Sequence, residues 1–375
     1  MKFSIQRDEI YEALQKVVSV IPQRSTITMT QNIKFSVSGD QLELMATDLE
    51  ITMISHVKAA SVEEEGVIAL PGRQVHDLIR ELPNLPLTFE TSSNHRLVLR
   101  SDFGEYKIGG EDPAKFPEKP QINEVQEIQF PNDVLRRLID KTIFATSTDE
   151  LRPALTGVYF EIGKNAVQTV ATDGHRLALI KYSDEALPAD EMNAIISTRA
   201  LNFVLRSIEF DGVTAMSLGD KHALFYMDNT QLYARLIEEM YVDYSRVMPS
   251  ETNYELVINT NALASSIKRV SLFSNPITTQ VVLNIASDHV EIQAEDKDFG
   301  GEAKEDIPHE SFNGEEFKIG FNSRYIQTVL RHVDSEQVTL QLVRPDYAVL
   351  VKPADLPDNE EQVMLLMPIR LENAG

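Results

Sequence analysis

Pro71-Gly72-Arg73-Gln74-Val75-His76-Asp77-Leu78-Ile79-Arg80-Glu81-Leu82 decides the reading of this chain, because its spacing returns twice. Arg199 follows Arg73 by 126 positions, and Arg324 follows Arg199 by 125. Each copy places four apolar residues at i, i+3, i+4 and i+7: Val75, Leu78, Ile79 and Leu82; Leu201, Val204, Leu205 and Ile208; Ile326, Val329, Leu330 and Val333. That period is one face of an α-helix. At about 100° per residue the paired arginines, Arg73 with Arg80, Arg199 with Arg206 and Arg324 with Arg331, lie two turns apart and nearly opposite the apolar face. Ser197 or Thr198 and Asn322 or Ser323 stand where the last two helices need an N-cap.

A second helix repeats with the first. Ile10 and Leu14 match Leu135 and Ile139, then Leu263 and Ile267, and Lys16, Lys141 and Arg269 share one column. Asp8, Asn132 or Asp133, and Thr260 or Asn261 lie near the starts. Between the helices run β-rich stretches, Leu42 to Met53, Val167 to Leu179 and Val290 to Glu302, which align at Asp48, Asp173 and Asp296. Further strands are expected in Leu87 to Ile108, Val213 to Leu236 and Val338 to Met367. The fold class is therefore α+β: three similar domains, each with two helices packed on antiparallel β-sheets, at 1–125, 126–253 and 254–375. The boundaries fall in Pro- and acid-containing stretches, Gly110 to Glu127 and Glu238 to Glu255, and a chain of 375 residues is long enough for two or three cores.

Charge narrows the function. Lys and Arg number 35 against 58 Asp and Glu, a formal charge of −23, which excludes a protein that coats nucleic acid or anionic lipid with its whole surface. Arginines repeated at matched helix angles within such an acidic chain gather positive charge on one shared surface. Solvated charge is the plainer reading of any single such helix, but threefold repetition favours a basic groove or channel for a phosphate backbone. No aromatic residues interleave with these arginines, so duplex backbone fits better than stacked single-stranded bases. Arg24 and Arg152, on expected loops, are further phosphate contacts. Cys and Trp are absent, which excludes disulfides, thiolate metal sites and a Cys nucleophile. No run of 18 apolar residues occurs, and the expectation is a soluble, cytoplasmic, unprocessed chain.

The repeats differ at one place. Asp48-Leu49-Glu50 and Asp296-Lys297-Asp298 correspond to Asp173-Gly174-His175-Arg176-Leu177 in the middle domain. Gly174 allows close approach by another chain, and Leu155, Thr172 and Leu177 can line a shallow pocket. An enzyme would use Asp173 and His175 as an acid/base fragment, but the rest of such a constellation is missing. No HExxH, GxSxG, P-loop or GxGxxG occurs, so neither a catalytic residue, a metal nor a cofactor is assigned. A structural repeat protein unconnected with DNA is the remaining alternative. The carboxyl end, Val363 to Leu371, is strongly apolar; beyond Pro368, Ile369 and Leu371 flank Arg370 in a tail suited to binding peptides.

The string ATDGHRLA (Ala171 to Ala178), ATDLE (Ala46 to Glu50), MPIRL (Met367 to Leu371), the opening MKF and the three-unit layout together resemble the bacterial sliding clamp family, the beta subunits of DNA polymerase III. The resemblance spans nearly the whole chain. It implies the DNA clamp fold, a ring-forming head-to-tail homodimer that encircles double-stranded DNA without regard to sequence, tethers the replicative DNA polymerase as a processivity factor, and has no catalytic site. It also implies a clamp-loader ATPase, other clamp-binding-motif proteins of replication and repair, and a partner-peptide pocket between the second and third domains. By matching motif that pocket takes in Leu155, Thr172, Gly174, His175, Arg176, Leu177, Val242, Arg246, Val247, Met367, Pro368, Ile369, Arg370 and Leu371. The dimer seam would join Tyr106 and Ile108 to Leu272 and Phe273. Val242 stands where family members often carry Pro, and Glu372-Asn373-Ala374-Gly375 extends past the usual end.

Overall fold

The computed structural model describes residues 1–92, 94–122 and 126–371. The tail Glu372 to Gly375 lies outside them. The described residues form six helices, α1 (Arg7–Val18), α2 (Gly72–Glu81), α3 (Asn132–Ile143), α4 (Thr198–Ser207), α5 (Thr260–Val270) and α6 (Ser323–Leu330), set among antiparallel strands. Each repeat runs strand, helix, four strands, helix, three strands, with one short extra strand in the first (Ser61–Glu64) and in the third (Ser311–Phe312).

The helices bury the faces that the periodicity marks. Val75 and Ile79 of α2, Leu201 and Val204 of α4, and Ile326, Val329 and Leu330 of α6 are buried, while Leu78 and Leu205 are half-buried. Leu82 and Val333 are buried just beyond their helices. Asn322 caps α6, its Oδ1 accepting from the backbone N–H groups of Arg324 and Tyr325. For α5 the cap is Asn259, one residue ahead of the expected pair, accepting from Ala262 N–H. Asn132 is not a cap: it bridges the Asp211 carbonyl and the Thr214 hydroxyl.

The β-rich stretches turn out to be hairpins rather than single strands. Gln41–Thr47 pairs with Ile51–Lys58, Ala166–Thr172 with Arg176–Ser183, and His289–Asp296 with Gly301–Pro308. The three aligned aspartates sit at the turns. Asp48 Oδ1 accepts from Glu50 and Ile51 N–H, Asp173 Oδ1 from His175 and Arg176 N–H, and Asp296 Oδ1 from Asp298 N–H. Local acceptance by a short carboxylate is what makes Asp a turn residue. Gly174 takes φ +90° in its turn, and Leu49, its counterpart in the first repeat, takes φ +81° in spite of its Cβ.

The chain forms two compact units, Met1–Leu135 with Arg199–Leu236, and Arg136–Thr198 with Ile237–Gly375. The division passes through the middle repeat, and sheet pairing explains it. In the first unit an eight-stranded sheet is made continuous by Ile51–Lys58 of the first repeat pairing with Thr230–Arg235, the last strand of the second, from Ser55 opposite Thr230 to Ile51 opposite Ala234. In the second unit Arg176–Ser183 pairs with Glu360–Leu366, the last strand of the third repeat, with Leu177 opposite Leu365, within a nine-stranded sheet. A five-stranded sheet in the first unit ends at Gly104–Gly109, and a four-stranded sheet in the second ends at Gly301–Pro308. Each half of the middle repeat thus completes a neighbour's sheet. Excising residues 126–253 bares both joining strands as unpaired edges, which template aggregation. That fragment is expected to elute as aggregates in size-exclusion chromatography while the full chain does not; a monodisperse, cooperatively unfolding fragment would contradict this account.

Candidate functional site

Seven of the expected basic side chains on or beside the helices are exposed: Arg73, Arg80, Arg199, Arg206, Arg269, Arg324 and Arg331. Arg73 Nη2 donates to the Ile21 carbonyl at 2.9 Å, and Arg331 reaches Gln327 O and Thr328 Oγ1 on its own helix. Arg80 pairs with Asp77 and Glu81, and Arg199 with Asp48. Arg269 forms a bidentate pair with Glu305, whose carboxyl is held below the usual range by that guanidinium. Arg24 is exposed, and Arg152 is paired at 2.9 Å with Asp149. The pairs of Arg80, Arg152 and Arg269 are screened by solvent and can exchange for a phosphate, whereas Arg199 pairs with a carboxylate that is only 8% exposed.

Lys141 is the exception among them, being buried rather than exposed. Its side chain is only 7% exposed, and its ammonium donates to the His332 carbonyl at 3.0 Å and pairs with Asp334 at 2.6 Å. This buried, paired ammonium holds α3 to the segment after α6.

The turn after Ala166–Thr172 is the centre of the second site, which lies wholly within the second unit. Thr172 Oγ1 donates to Arg176 O at 2.7 Å and accepts from Gly174 N–H. Asp173 is fully engaged, its second oxygen taking Arg176 Nε at 3.1 Å. The carboxylate serves the turn and Arg176 rather than the His175 ring, so the acid/base reading of Asp173 with His175 loses its geometry.

The ring of His175 instead stacks on Tyr325 of α6, centroids 5.8 Å apart. Arg176 lies between Tyr325 and Phe144, 5.0 and 5.5 Å from their ring centres, and Phe144 stacks on His332 at 3.9 Å. The result is an unbroken ladder, His332, Phe144, Arg176, Tyr325, His175, of stacked and cation–π contacts. Burial holds the His332 imidazole below its ordinary pKa, in the neutral form. Phe144, Tyr325 and His332 are absent from the sequence-derived set; only the helix period, which puts Tyr325 beside the buried Ile326, hinted at the second.

Leu177 begins an apolar floor with Val170, Ala348, Leu350 and Leu365, all buried. Tyr241, Tyr244 and Met248 pack on it from the segment that also carries Val242, Arg246 and Val247. Val242 and Val247 remain nearly half exposed, and Arg246 pairs with Asp243 at 2.7 Å. Leu155 is buried and held through backbone bonds to Ser147 and Arg152. Leu365 belongs to the apolar carboxyl end, whereas nothing in the sequence distinguishes Ala348 and Leu350 from ordinary strand core.

The tail leaves the last strand across this turn. Met367 N–H donates to His175 O at 2.9 Å, and Ile369 N–H to Gly320 O at 2.8 Å. Leu371 lies so close over Gly320 that a Cβ there would come within 2.6 Å of its Cδ2. Met367 is 40% exposed, Arg370 is exposed, and Pro368, Ile369 and Leu371 are half-buried. An apolar floor, an adaptable Met and a tail anchored by two backbone bonds can receive a short extended peptide.

Of the seam residues, Tyr106 and Ile108 lie on the edge strand Gly104–Gly109, with Ile108 buried. Leu272 and Phe273 follow α5 and are 80% and 46% exposed. Among the described residues no group of acidic and histidine side chains is arranged to hold a metal, and no helix is long and apolar enough to cross a membrane.

Comparison with known proteins agrees along the chain. Family models of the DNA polymerase III beta subunit match in order, the N-terminal domain at residues 1–120, the central domain at 129–243 and the C-terminal domain at 245–370. The beta sliding clamps of Bacillus subtilis and Pseudomonas aeruginosa are 28% and 29% identical, over 99% of this chain and all of theirs. The crystal structure of a Pseudomonas aeruginosa sliding clamp bound to griselimycin has a TM-score of 0.93 at 28% identity, and that of the Bacillus subtilis clamp 0.93 at 27%, each covering 99% of this chain and 100% of the other. A repeated strand–helix architecture matched in all three of its parts leaves one assignment: this chain belongs to the DNA polymerase III beta subunit family, the bacterial sliding clamps.

Proposed function

We propose how the residues of this chain divide the work of a sliding clamp. The family is a processivity factor of DNA replication: a dimeric ring on DNA that binds the polymerase, is placed by a clamp loader and has no catalysis of its own. In this reading the domains are residues 1–125, 126–253 and 254–375, and the protein works in the cytoplasm, where the chromosome is copied. The phosphate-facing set is Arg24, Arg73, Arg80, Arg152, Arg199, Arg206, Arg269, Arg324 and Arg331.

The observation that carries the reading is the pairing rule at the two domain junctions. In both, the last strand of one domain joins the third strand after the first helix of the domain before it. Applied once more, that rule pairs Gly301–Pro308 of one copy with Gly104–Gly109 of another, head to tail, and applied in both directions it closes two chains. Tyr106 and Ile108 would then meet Leu272 and Phe273. Enclosure holds DNA without tight binding, and weak, screened arginine contacts leave the ring free to slide. The peptide pocket is formed by Leu155, Thr172, Gly174 to Leu177, Val242, Arg246, Val247 and Met367 to Leu371.

Retention tests the topology. The loaded protein is expected to stay on nicked circular duplex through high-salt washing and to leave when the circle is linearised; equal retention on both would refute enclosure. Replacing Arg24, Arg73, Arg206, Arg324 and Arg331 with Ala should flatten the salt dependence of DNA binding by about one unit of log–log slope for each guanidinium–phosphate pair removed, without changing the melting curve. An unchanged slope would remove them from the DNA face. For the pocket, a chain ending at Leu366 is expected to lose at least about tenfold in affinity for polymerase-derived peptides in fluorescence anisotropy while keeping its dimer mass; undiminished affinity would refute the assignment.

A further inference from the structure

The two junction sheets are register-matched copies of each other, and the peptide pocket occupies only one of them. In the second unit a line of opposed residues runs across five strands from Glu255 through Gln341, Leu350 and Leu365 to Leu177. In the first unit the same line runs Glu127, Ser217, Leu224, Tyr233, Thr52. Met45 opposite Ile54 repeats Val170 opposite Leu179. The crossing segments match too: Phe116 and Ile122, from Phe116-Pro117-Glu118-Lys119-Pro120-Gln121-Ile122, pack on Met45, Ile54, Leu224 and Tyr233 as Tyr241 and Met248 pack on the Leu177 floor. Met29 joins this cluster half-buried, 126 positions before Leu155.

The copy is open. A groove of about 700 Å³ lies between the segment 119–122 and the strands carrying Leu224, Tyr226 and Tyr233, all within the first unit. Its chemistry has diverged from the other pocket. Tyr233 replaces Leu365, and Thr52, bonded to Thr47 at 2.8 Å, replaces Leu177. Lys119, exposed, has its ammonium 5.4 Å over the Tyr233 ring and 3.2 Å from Gln231 Oε1, which also accepts from the Tyr233 hydroxyl. Tyr226 is 38% exposed at the mouth, and Glu127 is the acidic residue on the far wall.

We propose that this groove is a second peptide-docking site. It takes a short extended segment of a partner protein whose aromatic or aliphatic side chain lies on Leu224 and Tyr233 and whose carboxylate side chain meets Lys119. The two sites of one chain then differ in selectivity: the one beside Leu177 reads apolar side chains, and the one beside Tyr233 also requires an acid, because Lys119 is the cation facing its floor. The inference rests on the peptide-pocket reading above, since it transfers that pocket's role by register.

The test uses the full-length dimer and one probe, the peptide acetyl-Ala-Leu-Asp-Leu-Phe-amide, titrated by calorimetry. Two peptides per chain are expected. A chain ending at Leu366 should keep only the second site, and Lys119→Glu, an exposed substitution, should weaken only that site by about tenfold or more. Tyr226→Ala, half exposed, checks the same site without changing charge, and changing the probe's Asp to Asn should cost affinity at the second site alone. One peptide per chain, lost on truncation and indifferent to Lys119→Glu, overturns the inference and leaves the first pocket standing. One peptide per chain, kept on truncation and weakened by Lys119→Glu, upholds the inference and removes the first pocket; no binding at all overturns both.

Discussion

The antiparallel ladder between the last strand of one domain and the third strand after the first helix of the preceding one governs this molecule. Backbone N–H and C=O groups at a sheet edge are strong, unspent hydrogen-bonding groups, and a chain of three sandwiched repeats has many edges. Pairing Ile51–Lys58 with Thr230–Arg235, and Arg176–Ser183 with Glu360–Leu366, satisfies four of those edges at once. It also merges sheets across domain boundaries, so the compact units of the fold are not the units of the repeat. Gly104–Gly109 and Gly301–Pro308 are edge strands of the two smaller sheets, and they are the pair that the proposed ring would join.

Function then depends on small departures from the repeat. The three turn aspartates serve one purpose, satisfying backbone donors, and the middle turn adds Arg176 as a second client of its carboxylate. The guanidinium so fixed becomes the middle rung between Phe144 and Tyr325. None of this requires acid–base chemistry, and a side chain committed to three donors is poorly placed to move protons. The acidic composition has a matching logic. Arg80, Arg152 and Arg269 hold carboxylate partners at the surface, so the proposed phosphate contact would exchange one weak partner for another rather than add a new gain.

Much of this was legible in the sequence because it is periodic. The helices through Val75, Leu201 and Ile326 and the aligned aspartates repeat at fixed offsets, and local periodicity is what single sequences report well. What escaped is non-local. Lys141 looked like a partner of Lys16 and Arg269 by column, yet its carbonyl acceptor at His332 lies 191 positions away. The hairpins at Asp48, Asp173 and Asp296 read as single strands because β-forming residues crowd both sides of a very short turn. Tyr325 sits between a basic residue and a core isoleucine, and no local pattern announces that its ring will support His175. The sheet mergers, which set the compact units, involve partners more than 170 positions apart in both cases.

The ladder from His332 to His175 has a mechanical consequence. Tyr325 follows Arg324 directly, and His332 follows Arg331, so the outermost ring of the stack and the two cations at either end of α6 share one rigid support. Displacing the His175 imidazole would uncover one face of the Tyr325 ring, while α6 keeps its buried seat through Ile326, Val329 and Leu330. The turn's outermost ring is thus borne by a helix of another repeat rather than by the turn itself.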